Sequence, residues 1–98
     1  MKDLIANLNK IFESRVRLGI MSVLTVNETS DFNSLKETLD LTDGNLASHL
    51  KALEKEGMIV VEKQFIDRKP NTSYSVTEKG RTAFSEHLSA LENLIREP

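Results

Sequence analysis

Residues 41–76 read LTDGNLASHLKALEKEGMIVVEKQFIDRKPNTSYSV, and the order of signals within them decides the fold. Thr42 is a helix-capping residue, and Asp43 places an acidic group in the first turn, where the helix dipole favours it. The periodic run that follows stops at Gly57, a residue suited to the position just past a helix end. Met58 to Phe65 is rich in strand formers (Ile59, Val60, Val61, Phe65), and Ser73 to Val76 gives a second strand through Tyr74 and Val76. Between them Asp67-Arg68-Lys69-Pro70-Asn71 makes a basic tip, with Pro70-Asn71 supplying turn chemistry. A helix with a small-residue face, joined to a ribbon with cations at its tip, suits a DNA groove. The helix would enter the major groove while the ribbon touches the backbone or minor groove beside it.

Working outward, Phe32, Leu35 and Leu39 mark a short helix that ends before Leu41. With the helix capped by Thr42 it makes a pair joined by a turn of about three residues, the helix-turn-helix spacing. A third helix, from Glu13 or Ser14 to about Val26, covers the pair with Val16, Ile20, Met21 and Leu24, while Arg15 and Arg17 lie off that stripe. Asn27-Glu28-Thr29-Ser30 is a polar break, with a minimal extra strand near Asp31-Phe32. Residues 2–12 carry Leu4, Ile5, Leu8, Ile11 and Phe12 at helical spacing, with Asp3 in the first turn. Thr77-Glu78 caps a last helix reaching about Arg96, whose apolar residues Phe84, Leu88, Leu91 and Ile95 step by four, three and four. The expected fold is α+β, mainly α: a winged helix-turn-helix with a three-helix core, a two-stranded β wing, and additional N- and C-terminal helices. It forms one domain, residues 1–98, whose terminal helices (about 2–12 and 78–96) supply a dimer surface.

On a helical wheel Leu46, Leu50 and Leu53 share the core face of the central helix. Asn45 and Ser48 point away from it, flanked by Gly44, His49, Lys51 and Lys55. Asn, Ser and His side chains all bond base edges, and Asn pairs bidentately with adenine. Gly44 lets the helix backbone come close to a phosphate. Lys51 and Lys55 are placed for the DNA backbone, and Arg68 and Lys69 for phosphates or a narrow minor groove. Phe65 and Tyr74 read as core at the root of the wing.

The charge balance works against this reading. The 98-residue chain has a net charge of −2 and a pI near 5.7. Residues 42–70 hold five cations (Lys51, Lys55, Lys63, Arg68, Lys69) against five anions (Asp43, Glu54, Glu56, Glu62, Asp67). A positive field must therefore come from local arrangement, and a homodimer would double the phosphate contacts. The acidic pI favours the alternative of a winged-helix protein–protein interaction module that does not bind DNA. A further alternative is a regulator gated by an unidentified small-molecule effector at the dimer interface.

Other classes are excluded more firmly. The absence of cysteine removes disulfides and thiolate metal sites. Two histidines, His49 and His87, are too few to close a metal site, and His87 reads as a solvated histidine on the last helix. There is no Gly-rich phosphate loop, nucleophile elbow or Ser-His-Asp constellation, so neither an enzyme nor a cofactor is expected. The charge-broken N-terminus and the lack of a long apolar run point to a cytoplasmic protein without a membrane span.

The segment LTDGNLASHLKALEKEGMI resembles the recognition segment of winged-helix regulators of the multiple-antibiotic-resistance-repressor (MarR) and arsenic-repressor (ArsR) type. VRLGIMSVL resembles their opening "RL-x-IL-x-x-L" helix, and DRKPNTSYSVTEKGRTAF their wing followed by "Y-x-(L/V)-T-x-x-G". The resemblance covers roughly residues 12–84, with a length like that of the small stand-alone members. It implies transcriptional regulation by a homodimer on double-stranded DNA, with base contacts at Gly44, Asn45, Ser48 and His49 and wing contacts at Arg68 and Lys69. The chain departs from the pattern at Ser48, where many members carry arginine, and at Asp43, an anion at the helix entrance.

Overall fold

In the computed structural model, which describes residues 5–96, local capping accounts for where each helix begins. Ser14 accepts the Arg17 N–H and caps α1, Arg15–Val26. Asp31 accepts the Ser34 N–H at 2.8 Å and caps α2, Phe32–Leu39; that bond holds its carboxyl below the usual carboxylate range. Thr42 accepts the Asn45 N–H at 3.2 Å and caps α3, Asp43–Lys55. The stop at Gly57 is a Schellman arrangement: the glycine has φ 76°, its N–H donates to the Glu54 carbonyl, and the Met58 N–H donates to the Leu53 carbonyl. At the end of α2, left-handed Asp40 (φ 53°) turns the chain into the Asp40–Thr42 connection, completing the helix-turn-helix.

Strands β1 (Ser30–Asp31), β2 (Ile59–Ile66) and β3 (Lys69–Val76) form an antiparallel sheet in the order β1-β3-β2. Ser30 stands opposite Tyr74, Ile59 opposite Val76, and Ile66 opposite Lys69. The wing is thus the β2–β3 hairpin, and the minimal third strand forms one residue earlier than expected. The tip is tighter than the sequence suggests. Only Asp67 and Arg68 turn the chain, both with positive φ (51° and 67°), while Lys69, Pro70 and Asn71 belong to β3. Positive φ at both central residues gives a turn whose twist matches that of its strands. Pro70 is tolerated one pair away from the closing pair, where antiparallel alternation points its nitrogen to an edge that β1 does not reach.

The N-terminal helix expected over residues 2–12 does not form over its described part, residues 5–12. Residues 2–4, with Asp3 and Leu4, lie outside the described residues, and 5–12 make turns followed by a 3-10 helix, Lys10–Phe12. Asn9 is the cause: it takes an extended conformation, and its side-chain oxygen accepts the Ile11 N–H at 3.0 Å, so the side chain competes with a continuous helix. Phe12 still enters the core, meeting Phe84 edge to face at 5.2 Å. Around this pair gather Ile20, Met21 and Leu24 of α1, Leu35 of α2, and Leu46, Leu50 and Leu53 of α3, all but Leu50 with no exposure.

The last helix, α4, spans Glu78–Arg96, but its buried line is Gly80, Phe84, His87 and Ala90. Of the expected stripe only Phe84 is buried; Leu88, Leu91 and Ile95 are 46%, 37% and 83% exposed. The rotation is set at Gly80, where a β-carbon would overlap the Met58 carbonyl. Thr77 fixes the same junction. Its hydroxyl donates to the Gly57 carbonyl at 2.6 Å and accepts the Gly80 N–H at 2.9 Å, capping α4. His87 is therefore not a solvated residue. It is 3% exposed, beside the Phe12 ring, and its Nδ1 accepts the Asn9 N–H at 3.0 Å.

Candidate nucleic-acid interface

Because Leu46, Leu50 and Leu53 anchor α3 to the core, most of its remaining surface is left to solvent. Gly44, Asn45, Ser48, Lys51 and Lys55 are all exposed. A β-carbon built on Gly44 would meet nothing within 4 Å. Asp43, the anion at the helix entrance, does not stand alone: Lys36 of α2 reaches it at 2.7 Å. Both groups are substantially exposed, so the pair contributes little stability, but it cancels the local negative charge beside Gly44.

His49 differs from its neighbours. It is half-buried against α1, where its Nδ1 accepts the Arg17 Nε–H at 3.1 Å. Burial, and then the Arg17 charge, push its pKa down, so the imidazole is neutral with its proton on Nε2. Arg17 also donates from Nη1 to the Ile11 carbonyl at 3.2 Å. Sequence reading placed Arg17 off the buried stripe but carried no signal for this bridge, which depends on how α1 crosses α3.

On the wing, Arg68 sits in the turn and Lys69 begins β3, both exposed. Phe65 is not wing-root core. It lies opposite Pro70 near the tip, beyond the helices, and is 77% exposed. Tyr74, opposite Val61 and Ser30 at the root, does pack on the core, and burial followed by the Glu54 charge raises its pKa. Among the described residues no three His, Asp or Glu side chains gather as metal ligands, and His49 and His87 are engaged with different partners. No helix among them is long and apolar enough to cross a membrane.

An exposed polar recognition face beside a cation-tipped hairpin is the layout of a winged DNA-binding domain, and residues 16–95 match the family described as winged helix DNA-binding domain. The chain belongs to that family. An uncharacterised protein of Methanocaldococcus jannaschii is 46% identical over 87 residues, which are 89% of this chain and 95% of that protein. The solved structure of a transcriptional regulator homologue from Pyrococcus horikoshii superposes with a TM-score of 0.89 at 35% identity, covering 98% of this chain and 96% of its own. The repressor CouR, solved bound to a 23-mer DNA duplex, shares the fold at a TM-score of 0.76 and 20% identity, covering 98% of this chain and 70% of its own. The winged helix family and its relatives of stated function are transcriptional regulators, not enzymes. The resemblance to small winged helix regulators read from the sequence therefore holds.

Proposed function

We propose that this winged helix protein regulates transcription by binding a pseudo-palindromic duplex site as a homodimer. The observation that carries this reading is the division of α3: its leucine face is buried, while Gly44, Asn45, Ser48, Lys51 and Lys55 are exposed. In the proposed complex Gly44, Asn45 and Ser48 meet the major groove, with His49 at its edge. Lys51 and Lys55 contact the backbone, and Arg68 and Lys69 reach phosphates or the minor groove from the wing. The DNA-bound state of CouR, which shares the fold, supports a duplex partner. A second copy is supported by Leu88, Leu91 and Ile95, an exposed apolar row on α4 that the chain's own core does not cover, with Ile5 also exposed.

The test is selection of bound duplexes from a random DNA pool by the purified protein. Inverted half-sites about one helical turn (~10 bp) apart are expected. No enrichment at low salt would sink the reading. The exposed Phe65 and Ile66 beside the wing tip favour a second one, in which the wing docks on a protein partner; it moves ahead under that outcome.

A further inference from the structure

We propose that Arg17 of α1 is a DNA-backbone contact, and that His49 is a positioning residue that aims its guanidinium instead of reading a base. The inference rests on the DNA-binding reading above and adds a third contact element to the recognition helix and the wing.

Arg17 is half-buried and held at two points. Nε donates to His49 Nδ1 at 3.1 Å, and Nη1 donates to the Ile11 carbonyl at 3.2 Å. Both acceptors are uncharged. Among the described residues no carboxylate lies within 4.0 Å of the guanidinium. Among the described residues its other N–H groups have no hydrogen-bond partner, and they form a planar fork that matches phosphate oxygens. Fixing a long side chain beforehand lowers the entropy lost on binding, which is what a preorganised contact requires. A purely internal brace between a carbonyl and an imidazole needs no permanent charge.

The location agrees. His49 lies one helical turn beyond Asn45 on the edge of α3 that faces α1. The cleft beside that edge is lined by Arg15, Val16 and Asn45, with Asp40 of the turn between α2 and α3 as the one anion on its wall. The first turn of α1 thus sets two cations, Arg15 and Arg17, along the flank of the reading helix. This supplies positive charge that residues 42–70, with equal numbers of cations and anions, do not.

The experiment measures dissociation constants across a salt series for the wild type, Arg17→Gln, His49→Ala and His49→Gln, on a duplex selected by the protein and on a scrambled one. Arg17→Gln is expected to weaken both duplexes alike, about tenfold, and to shallow the plot of log K against log salt by about one unit per subunit. His49→Ala should weaken binding with base preference unchanged. His49→Gln should restore it, because an amide oxygen can accept the Nε–H as Nδ1 does. Wild-type affinity and slope in a folded Arg17→Gln overturn the inference alone, as does an altered base preference in His49→Ala. If Arg17→Gln does not fold, the His49 pair decides: no loss on alanine substitution overturns it. A wild type that binds no duplex overturns the DNA reading itself, and this inference with it.

Discussion

A glycine near the start of an exposed helix calls for an explanation, since it costs about 0.5–1 kcal/mol relative to alanine. At Gly44 nothing among the described residues provides one, for none lies within 4 Å of a β-carbon there. Gly44→Ala is therefore expected to stabilise the fold by about 0.5–1 kcal/mol in urea unfolding while weakening duplex binding, because the methyl group stands between the first-turn amides and a phosphate. Stabilisation with unaltered affinity would remove Gly44 from the interface. His49 gives a pH effect whose sign is fixed. Its folded pKa lies below the ordinary histidine value through burial and the Arg17 charge, so the unfolded chain takes up the proton first. The neutral His49–Arg17 bond contributes fully above the ordinary value, and its contribution falls as pH drops below it. Urea midpoints from pH about 8 to about 5 should show the wild type losing stability relative to His49→Gln, in which the common carboxylate titrations cancel. A constant difference between the two proteins would show that the imidazole's charge state does not matter to the fold.

At the level of elements, α3 and the wing divide the proposed work differently. Asn45→Ala should lower preference for one base pair by about 1–3 kcal/mol with little change in salt slope. Changing Arg68 and Lys69 together to alanine should weaken selected and random duplexes by similar factors and shallow the slope by about one unit per lost phosphate contact. A wing double variant with wild-type slope and affinity would reduce those cations to solvated surface. A separate test concerns the foot of α4: Gly80→Ala forces a β-carbon onto the Met58 carbonyl and should cost at least about 2 kcal/mol in chemical denaturation. A loss below about 0.5 kcal/mol would mean the helix shifts freely there. What was legible in the sequence follows from how local each signal is. Thr42 and Gly57 announce α3 because capping acts within a turn of the chain, and Leu46, Leu50 and Leu53 fix its inner face. The Asp67-Arg68 turn was not legible, since neither residue is a glycine and register decides it. Asn9 broke a helix whose apolar spacing was otherwise regular. The phase of α4 escaped because its inward residues include Gly80, His87 and Ala90, which a count of large apolar side chains passes over. Among the candidate contacts, exposure of Gly44, Asn45 and Ser48 followed from the wheel. The Arg17–His49 bridge joins positions far apart in the chain and has no local signature.

At the scale of the molecule, the exposed row of Leu88, Leu91 and Ile95 is the proposed seam of the homodimer. Leu88→Glu combined with Leu91→Glu should leave the fold intact, as both positions are exposed in one copy, yet give a monomer by sedimentation and lower duplex affinity. A pair of glutamates that leaves a dimer in place would move the seam elsewhere. The junction of α4 with the corner between α3 and β2 has a further effect in such a pair. Thr77 and the bare α-carbon of Gly80 weld the foot of α4 to Gly57 and Met58, the residues that terminate α3. In the proposed homodimer, the helix that would join two subunits and the helix that would enter the groove swing as one piece. In that arrangement α4 would be the gauge that spaces the two reading heads, and the interval between operator half-sites would be a mechanical property of that weld, set by residues that touch no base.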